Sequence, residues 1–191
     1  GEPRAGVAVG RGAGRVAPRP DGVGIQCPGG RPGTRSDEVA PGAVVLDVVD
    51  VHKGTPLPDG PIALFDPIGG PIAVALAETL GSRAILITQD QIAGNELSRT
   101  GDLAPANVRL QQQGAQIERR SLLRAVRAGE VELEDRFSGE RRTVHCAALV
   151  DCGFRLPTDP IPAATAQAGD CVAPRTIHEA VLEARRAALS V

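Results

Sequence analysis

The residues of this chain best placed to do chemistry are two adjacent glycines, Gly69 and Gly70, set between an apolar run and a helical stripe. A dinucleotide diphosphate binds where backbone N–H groups at a helix N-terminus point at it, and glycine is needed because a side chain would block the approach. The usual fingerprint is GxGxxG. Aligned on the helix, the chain reads Ile68-Gly69-Gly70-Pro71-Ile72-Ala73. Ala at the last position needs only close packing and is compatible. Ile at the first position is a departure that weakens the phosphate cradle. The next apolar run ends in Thr88-Gln89-Asp90. An acidic residue there accepts hydrogen bonds from ribose hydroxyls, which makes Asp90 a candidate. Arg99 or Arg109 could instead approach a 2′-phosphate, so NAD and NADP stay open. Gly69, Gly70, Pro71, Thr88 and Asp90 are the candidate NAD(P)-binding residues.

Other chemistry is thin. His52, His145 and His178 lack the spacing of a metal site or a triad. Cys27, Cys146, Cys152 and Cys171 contain no C-x-x-C pair and read as small hydrophobes in a reducing cytoplasm. There is no Gly-x-Ser-x-Gly elbow and no P-loop lysine. No residue is assigned a catalytic role and none a metal.

The elements that must position the glycines are legible around them. Ile62 to Phe65 is a buried strand, and Ile72, Leu76 and Leu80 recur as a helical stripe that Gly81 can end. Ala84 to Ile87 is a second buried strand, so the segment reads as a βαβ unit. Pro105 to Gln113 reads as a helix and Ala115 to Ile117 as a third strand. Alternation at Val131, Leu133 and Asp135, a turn at Ser138-Gly139-Glu140 and a return over Thr143 to His145 predict an antiparallel hairpin. Ala147 to Val150 is another buried strand. Thr165 to Ala168 is strand-like, and Thr176 with Glu179 has capping-box spacing. Ile177, Ala180, Val181, Ala184 and Ala188 then make one apolar helical face. The predicted class is α/β, a Rossmann-like parallel sheet with an antiparallel meander.

Composition agrees with a core of aliphatic residues. The 191 residues are 42% hydrophobic and only 2% aromatic, with three Phe and neither Tyr nor Trp. Such residues suit parallel strands covered on both faces. The formal net charge of −2 and the missing aromatics argue against a nucleic-acid partner, including for the Arg-rich stretch Gly1 to Gly22. No apolar run reaches the roughly 20 residues of a membrane helix, so a cytoplasmic protein with no membrane partner is expected. The chain starts at Gly1 and has no Met; it reads as the C-terminal piece of a longer polypeptide, the remainder of which is its expected partner.

Four stretches carry a family resemblance: Phe65 to Pro71, Leu97 to Leu103, Val150 to Pro157 and Ala168 to Thr176. The chain resembles the C-terminal half of the Old Yellow Enzyme-like flavoenzymes that include 2,4-dienoyl-CoA reductase and trimethylamine dehydrogenase. That resemblance implies a glutathione reductase-type NAD(P) domain followed by the closing strand and helix of an FAD domain. It implies that Asp170, after Gly169, accepts a hydrogen bond from the flavin ribityl chain. The helix from Thr176 and Ile177 would turn its N–H groups toward the flavin. Cys27 to Gly33 stands where the family has an Ala-Thr-Gly-x-x-Pro turn, with Ala-Thr missing. FMN and an iron–sulfur cluster are expected only in the part of the parent outside this chain.

The expected layout is 1–40, disordered or a remnant of the FAD domain; 41–60, a linker; 61–155, the NAD(P) domain; and 156–191, the FAD-domain segment. Two functional classes follow: a segment of a flavin-dependent NAD(P)H oxidoreductase, inactive alone, or a vestigial, non-catalytic nucleotide-binding or scaffolding module. An open crevice at Gly69 and Gly70 would favour the first. Ile68 and Pro71 filling it would favour the second.

Overall fold

A computed structural model of the chain describes residues 24–27, 29–160 and 164–190. The Arg-rich segment before Val23 lies outside the described residues. In chain order the elements are β1 (Ile25–Gln26), β2 (Arg31–Pro32), β3 (Glu38–Val39), β4 (Val45–Asp47), α1 (Val48–His52), β5 (Ile62–Asp66), α2 (Pro71–Leu80) and β6 (Ala84–Thr88). They continue with α3 (Leu103–Gln112), β7 (Gln116–Glu118), β8 (Ser121–Arg127), β9 (Glu130–Asp135), β10 (Arg141–His145), β11 (Ala148–Asp151), β12 (Arg155–Leu156), β13 (Ala166–Gln167) and α4 (Ile177–Leu189).

The chain divides into two compact units. Unit 2 runs from Thr34 to Gly153, and unit 1 is built from the residues on either side of it. The inserted unit therefore starts and ends within a discontinuous host.

Unit 2 is built on a five-stranded parallel sheet in the order β4-β11-β5-β6-β7. Successive side chains of a strand point to opposite faces, and both faces here are covered. Ile62 and Leu64 of β5, Ala84 and Leu86 of β6, and Ala148 and Val150 of β11 form one core with α2 and α3. Ala63, Ile85, Ile87 and Leu149, the alternate positions, form a second core with Leu123, Val126, Val131 and Leu133. The latter come from a four-stranded sheet ordered β10-β9-β8-β3. Burial on both faces explains why β5, β6 and β11 read as continuous apolar runs rather than as alternation.

Two expectations change here. Residues 41–60, read as a linker, carry β4 and α1, and β4 pairs with β11 at the edge of the parallel sheet. Asp47 starts α1 by accepting the Val49 N–H at 2.7 Å, so the apolar stretch before Pro56 is structured by a side-chain cap. The segment Ser121–Arg127, read as no element at all, is the seven-residue strand β8. A bulge between Leu123 and Ala125 places an extra residue, Arg124, out of the alternation, which hides the strand's period.

Among its described residues, unit 1 contains two short strand pairings and one α-helix. β1 runs parallel to β13, and β2 antiparallel to β12. Gly33 lies against β12: its N–H donates to the Phe154 carbonyl at 2.9 Å, and a Cβ there would come within 2.5 Å of that oxygen. Only glycine allows so close a crossing. Helix α4 departs from its sequence reading. Its residues Ile177, Val181 and Leu189 are exposed, at 85%, 65% and 78%, and Ala187 is its buried residue. The apolar face is turned to solvent, whereas Ala180 and Ala184 are half-buried. Among the described residues no helix is long and apolar enough to cross a membrane.

Candidate functional site

The predicted nucleotide turn lies at the C-terminal edge of the parallel sheet, between β5 and α2. Gly70 is the N-cap of α2 and Pro71 its first residue, a position where the missing N–H costs nothing. No side chain of the cap residue closes the helix start. Asp66, the last residue of β5, instead ties down the turn ahead of the helix. Its Oδ1 accepts the Gly69 N–H at 2.9 Å and the Ile68 N–H at 3.2 Å. The glycine amides are thus turned inward. Ile68 and Pro71 are both exposed, whereas Gly69 and Gly70 are buried, and Ile68 Cγ2 lies 3.6 Å from where a Cβ on Gly70 would stand.

Asp66 is 1% exposed, and its second oxygen, Oδ2, has no hydrogen-bond partner. Burial pushes its carboxyl up to about 6, against the pull of the Gly69, Gly70 and Ile68 amides, and the neighbouring Asp90 adds to the rise. The loop after β6 closes over the same turn. Gly69 has φ +73°, and a Cβ on it would stand 2.9 Å from Asp90 Oδ2 and 3.2 Å from the Asn95 nitrogen. The Gly69 carbonyl accepts the Glu96 N–H at 2.9 Å.

The structure therefore brings Gly69, Gly70, Pro71 and Asp90 together. Thr88 is different: it is fully buried, and its hydroxyl accepts the Asp90 N–H at 3.2 Å. It positions Asp90 and offers no atom to a ligand. The two arginines considered for a 2′-phosphate are already engaged. Arg99 pairs with Glu96 at 2.9 Å, while Arg109 joins α3 to α2 through Asp102 and Glu78, at 3.0 Å each. The residue that sequence reasoning missed is Asp66. Its signal was an acidic residue ending a buried strand, three positions before Gly69.

In unit 1 a second site forms. A cavity of about 330 Å³ is lined by Gly169, Asp170, Ile177, Cys27, Gly29 and Arg175, with Ala168, Ala180 and Ala184 beneath. Three of the four residues predicted to face a flavin thus share one cavity. Gly169, with a left-handed φ of +77°, opens the 3-10 turn Gly169–Cys171, and its N–H donates to Glu183 at 2.9 Å. Glu183 also pairs with Arg175, which fixes the guanidinium at the rim. Thr176 is the N-cap of α4, but its hydroxyl donates to the Glu179 carboxylate instead of accepting a backbone N–H. The capping box is thus half formed, and the Thr176 hydroxyl holds the Glu179 carboxyl below its usual range.

Cys27 is exposed, while Cys146, Cys152 and Cys171 are buried, and among the described residues no disulfide joins them. Cys171 lies behind the cavity with its Sγ 3.1 Å from the Ala168 carbonyl, and burial pushes its thiol up. Among the described residues no group of three His, Cys, Asp or Glu could hold a metal.

No protein-family model matches the chain, and neither does a curated protein. Solved structures share its fold. Histamine dehydrogenase from Rhizobium sp. 4-9 superposes with a TM-score of 0.76 at 21% identity, over 88% of this chain and 30% of that one. A 2-naphthoyl-CoA reductase also gives 0.76, at 14% identity over 87% and 26%. The HOCl-induced flavoprotein disulfide reductase of Escherichia coli gives 0.57 at 14% identity, over 82% and 42%. The fold is that of the FAD/NAD(P) disulfide reductase type, and the chain spans less than half the length of each of these proteins.

Proposed function

We propose that the chain is the nucleotide-binding region of an FAD/FMN-dependent NAD(P)H oxidoreductase of the enoate or dienoyl-CoA reductase-like kind. Unit 2 would hold NAD(P)H at the β5–α2 turn, and unit 1 would form one wall of an FAD site. Bound FAD would accept a hydride from NAD(P)H. The observation that carries this reading is the unit 1 cavity, which gathers Gly169 and Asp170 with Ile177 from the start of α4.

The donor set suits a flavin. Asp170 offers a carboxylate to a hydroxyl. The first-turn amides of α4, uncapped by the Thr176 side chain, add the positive end of a helix dipole. The volume lies at the lower end of the roughly 300–1,000 Å³ of ligand pockets, as one wall of a larger site would. In unit 2, Asp90 can orient a ribose through its hydroxyls.

Flavin fluorescence during titration of the whole chain with FAD tests the proposal. Asp170→Ala should weaken binding about tenfold, the effect of removing a hydrogen bond to a charged group. NADPH oxidation by the chain with FAD added should stay at background. FAD binding that ignores Asp170, or no binding at all, would overturn the flavin site.

A further inference from the structure

We infer that Asp66 decides whether the β5–α2 turn admits a phosphate: ionised, it occupies the anion position itself, and only in its neutral form does the turn accept a diphosphate. This rests on the nucleotide-binding reading of unit 2 above.

A glycine turn at a helix start binds phosphate because its N–H groups are free and no negative charge is near. Neither condition holds here while Asp66 is ionised. Its Oδ1 takes the Ile68 and Gly69 amides, and its charge offsets the positive end of α2. Its Oδ2 is buried with no partner, so that charge is poorly neutralised. The other charged groups on the elements around it give no relief. Asp90, on the loop after β6, is a second negative charge against Gly69. Glu96 on that loop is paired with Arg99, and Asp151 at the end of β11 is paired with Arg35. A diphosphate at this turn would be the third anion in one place.

Protonation reverses both conditions. The charge disappears, and a neutral carboxyl is a weaker acceptor than a carboxylate by roughly a factor of two. The amides can then be released to a phosphate oxygen. Because the carboxyl titrates at about 6, the neutral fraction is about 0.9 at pH 5 and about 0.01 at pH 8. Apparent affinity scales with the competent fraction, so binding should weaken about 100-fold over that range.

Calorimetric titration of the whole chain with NAD⁺, whose diphosphate stays ionised throughout, provides the test. The wild type should bind about 100-fold more tightly at pH 5 than at pH 8. Asp66→Asn keeps the Oδ1 acceptor and the volume but removes the charge. It should bind with little pH dependence, at the affinity the wild type reaches at pH 5. Circular dichroism at both pH values establishes that the variant is folded. Wild-type binding of equal strength at pH 5 and pH 8 overturns the role of Asp66 while leaving the nucleotide site standing. So does a pH dependence that Asp66→Asn retains. Failure of both proteins to bind at any pH overturns the nucleotide reading itself, and this inference with it.

Discussion

Asp66 is held in an unfavourable state by its surroundings, and this has a consequence for stability. Its carboxyl titrates at about 6 in the fold, against an ordinary value of 3.8, so the native state keeps a proton that the unfolded chain releases at lower pH. Where the native state binds more protons, stability falls as pH rises. The loss accumulates between about pH 4 and pH 6 and amounts to about 3 kcal/mol at most, since a tenfold change in proton affinity is worth about 1.4 kcal/mol. Asp66→Asn should therefore flatten that part of the pH–stability profile. Urea unfolding of both proteins at about pH 4.5 and about pH 7.5 measures it: the wild type should lose stability relative to the variant at the higher pH. The neighbouring residues show what a sequence can and cannot reveal about such a site. The types and spacing of Gly69, Gly70 and Asp90 led to the expectation that they stand together, and the structure places Asp90 against Gly69. Thr88 was placed at the correct strand end, but nothing in its identity told that its hydroxyl would be spent on the Asp90 amide.

At the scale of elements, legibility followed burial. Strands β5, β6 and β11 are covered on both faces and announce themselves as apolar runs. The β9–β10 hairpin faces a core on one side and water on the other, so it alternates. Strand β8 was lost because its bulge sends Arg124 outward to Glu134, at 2.7 Å, in the middle of the run. Strand β4 is three residues long and lies between prolines and glycines that read as punctuation. In α4 the period was right, but the apolar face is exposed, since a stripe states that a face exists and not what covers it. The two-sided sheet predicts where damage is greatest. Leu133 of β9 is fully buried in the core between the parallel and antiparallel layers. Leu133→Ala should cost about 2–5 kcal/mol, seen as a lowered urea midpoint with an unchanged slope.

Over the whole molecule, the fold shared with histamine dehydrogenase and the disulfide reductases is one in which unit 2 interrupts unit 1. The two break points of the host are neighbours: the Gly33 N–H bonds the Phe154 carbonyl across β2 and β12. The two ends of the insert are also joined, because Arg35 Nη1 lies 3.3 Å from Asp151 Oδ2. A segment whose ends meet, with its own pair of cores, should fold when cut free. A polypeptide of Thr34 to Gly153 alone is expected to unfold cooperatively in urea with a transition of its own; a chain lacking fixed structure would contradict this. Genetically, such an arrangement behaves as a cassette. One crossing out and one crossing back, side by side, let the interior be exchanged, re-specified or deleted by a splice of a few residues. Divergence in what one half recognises need not then disturb the other half's architecture.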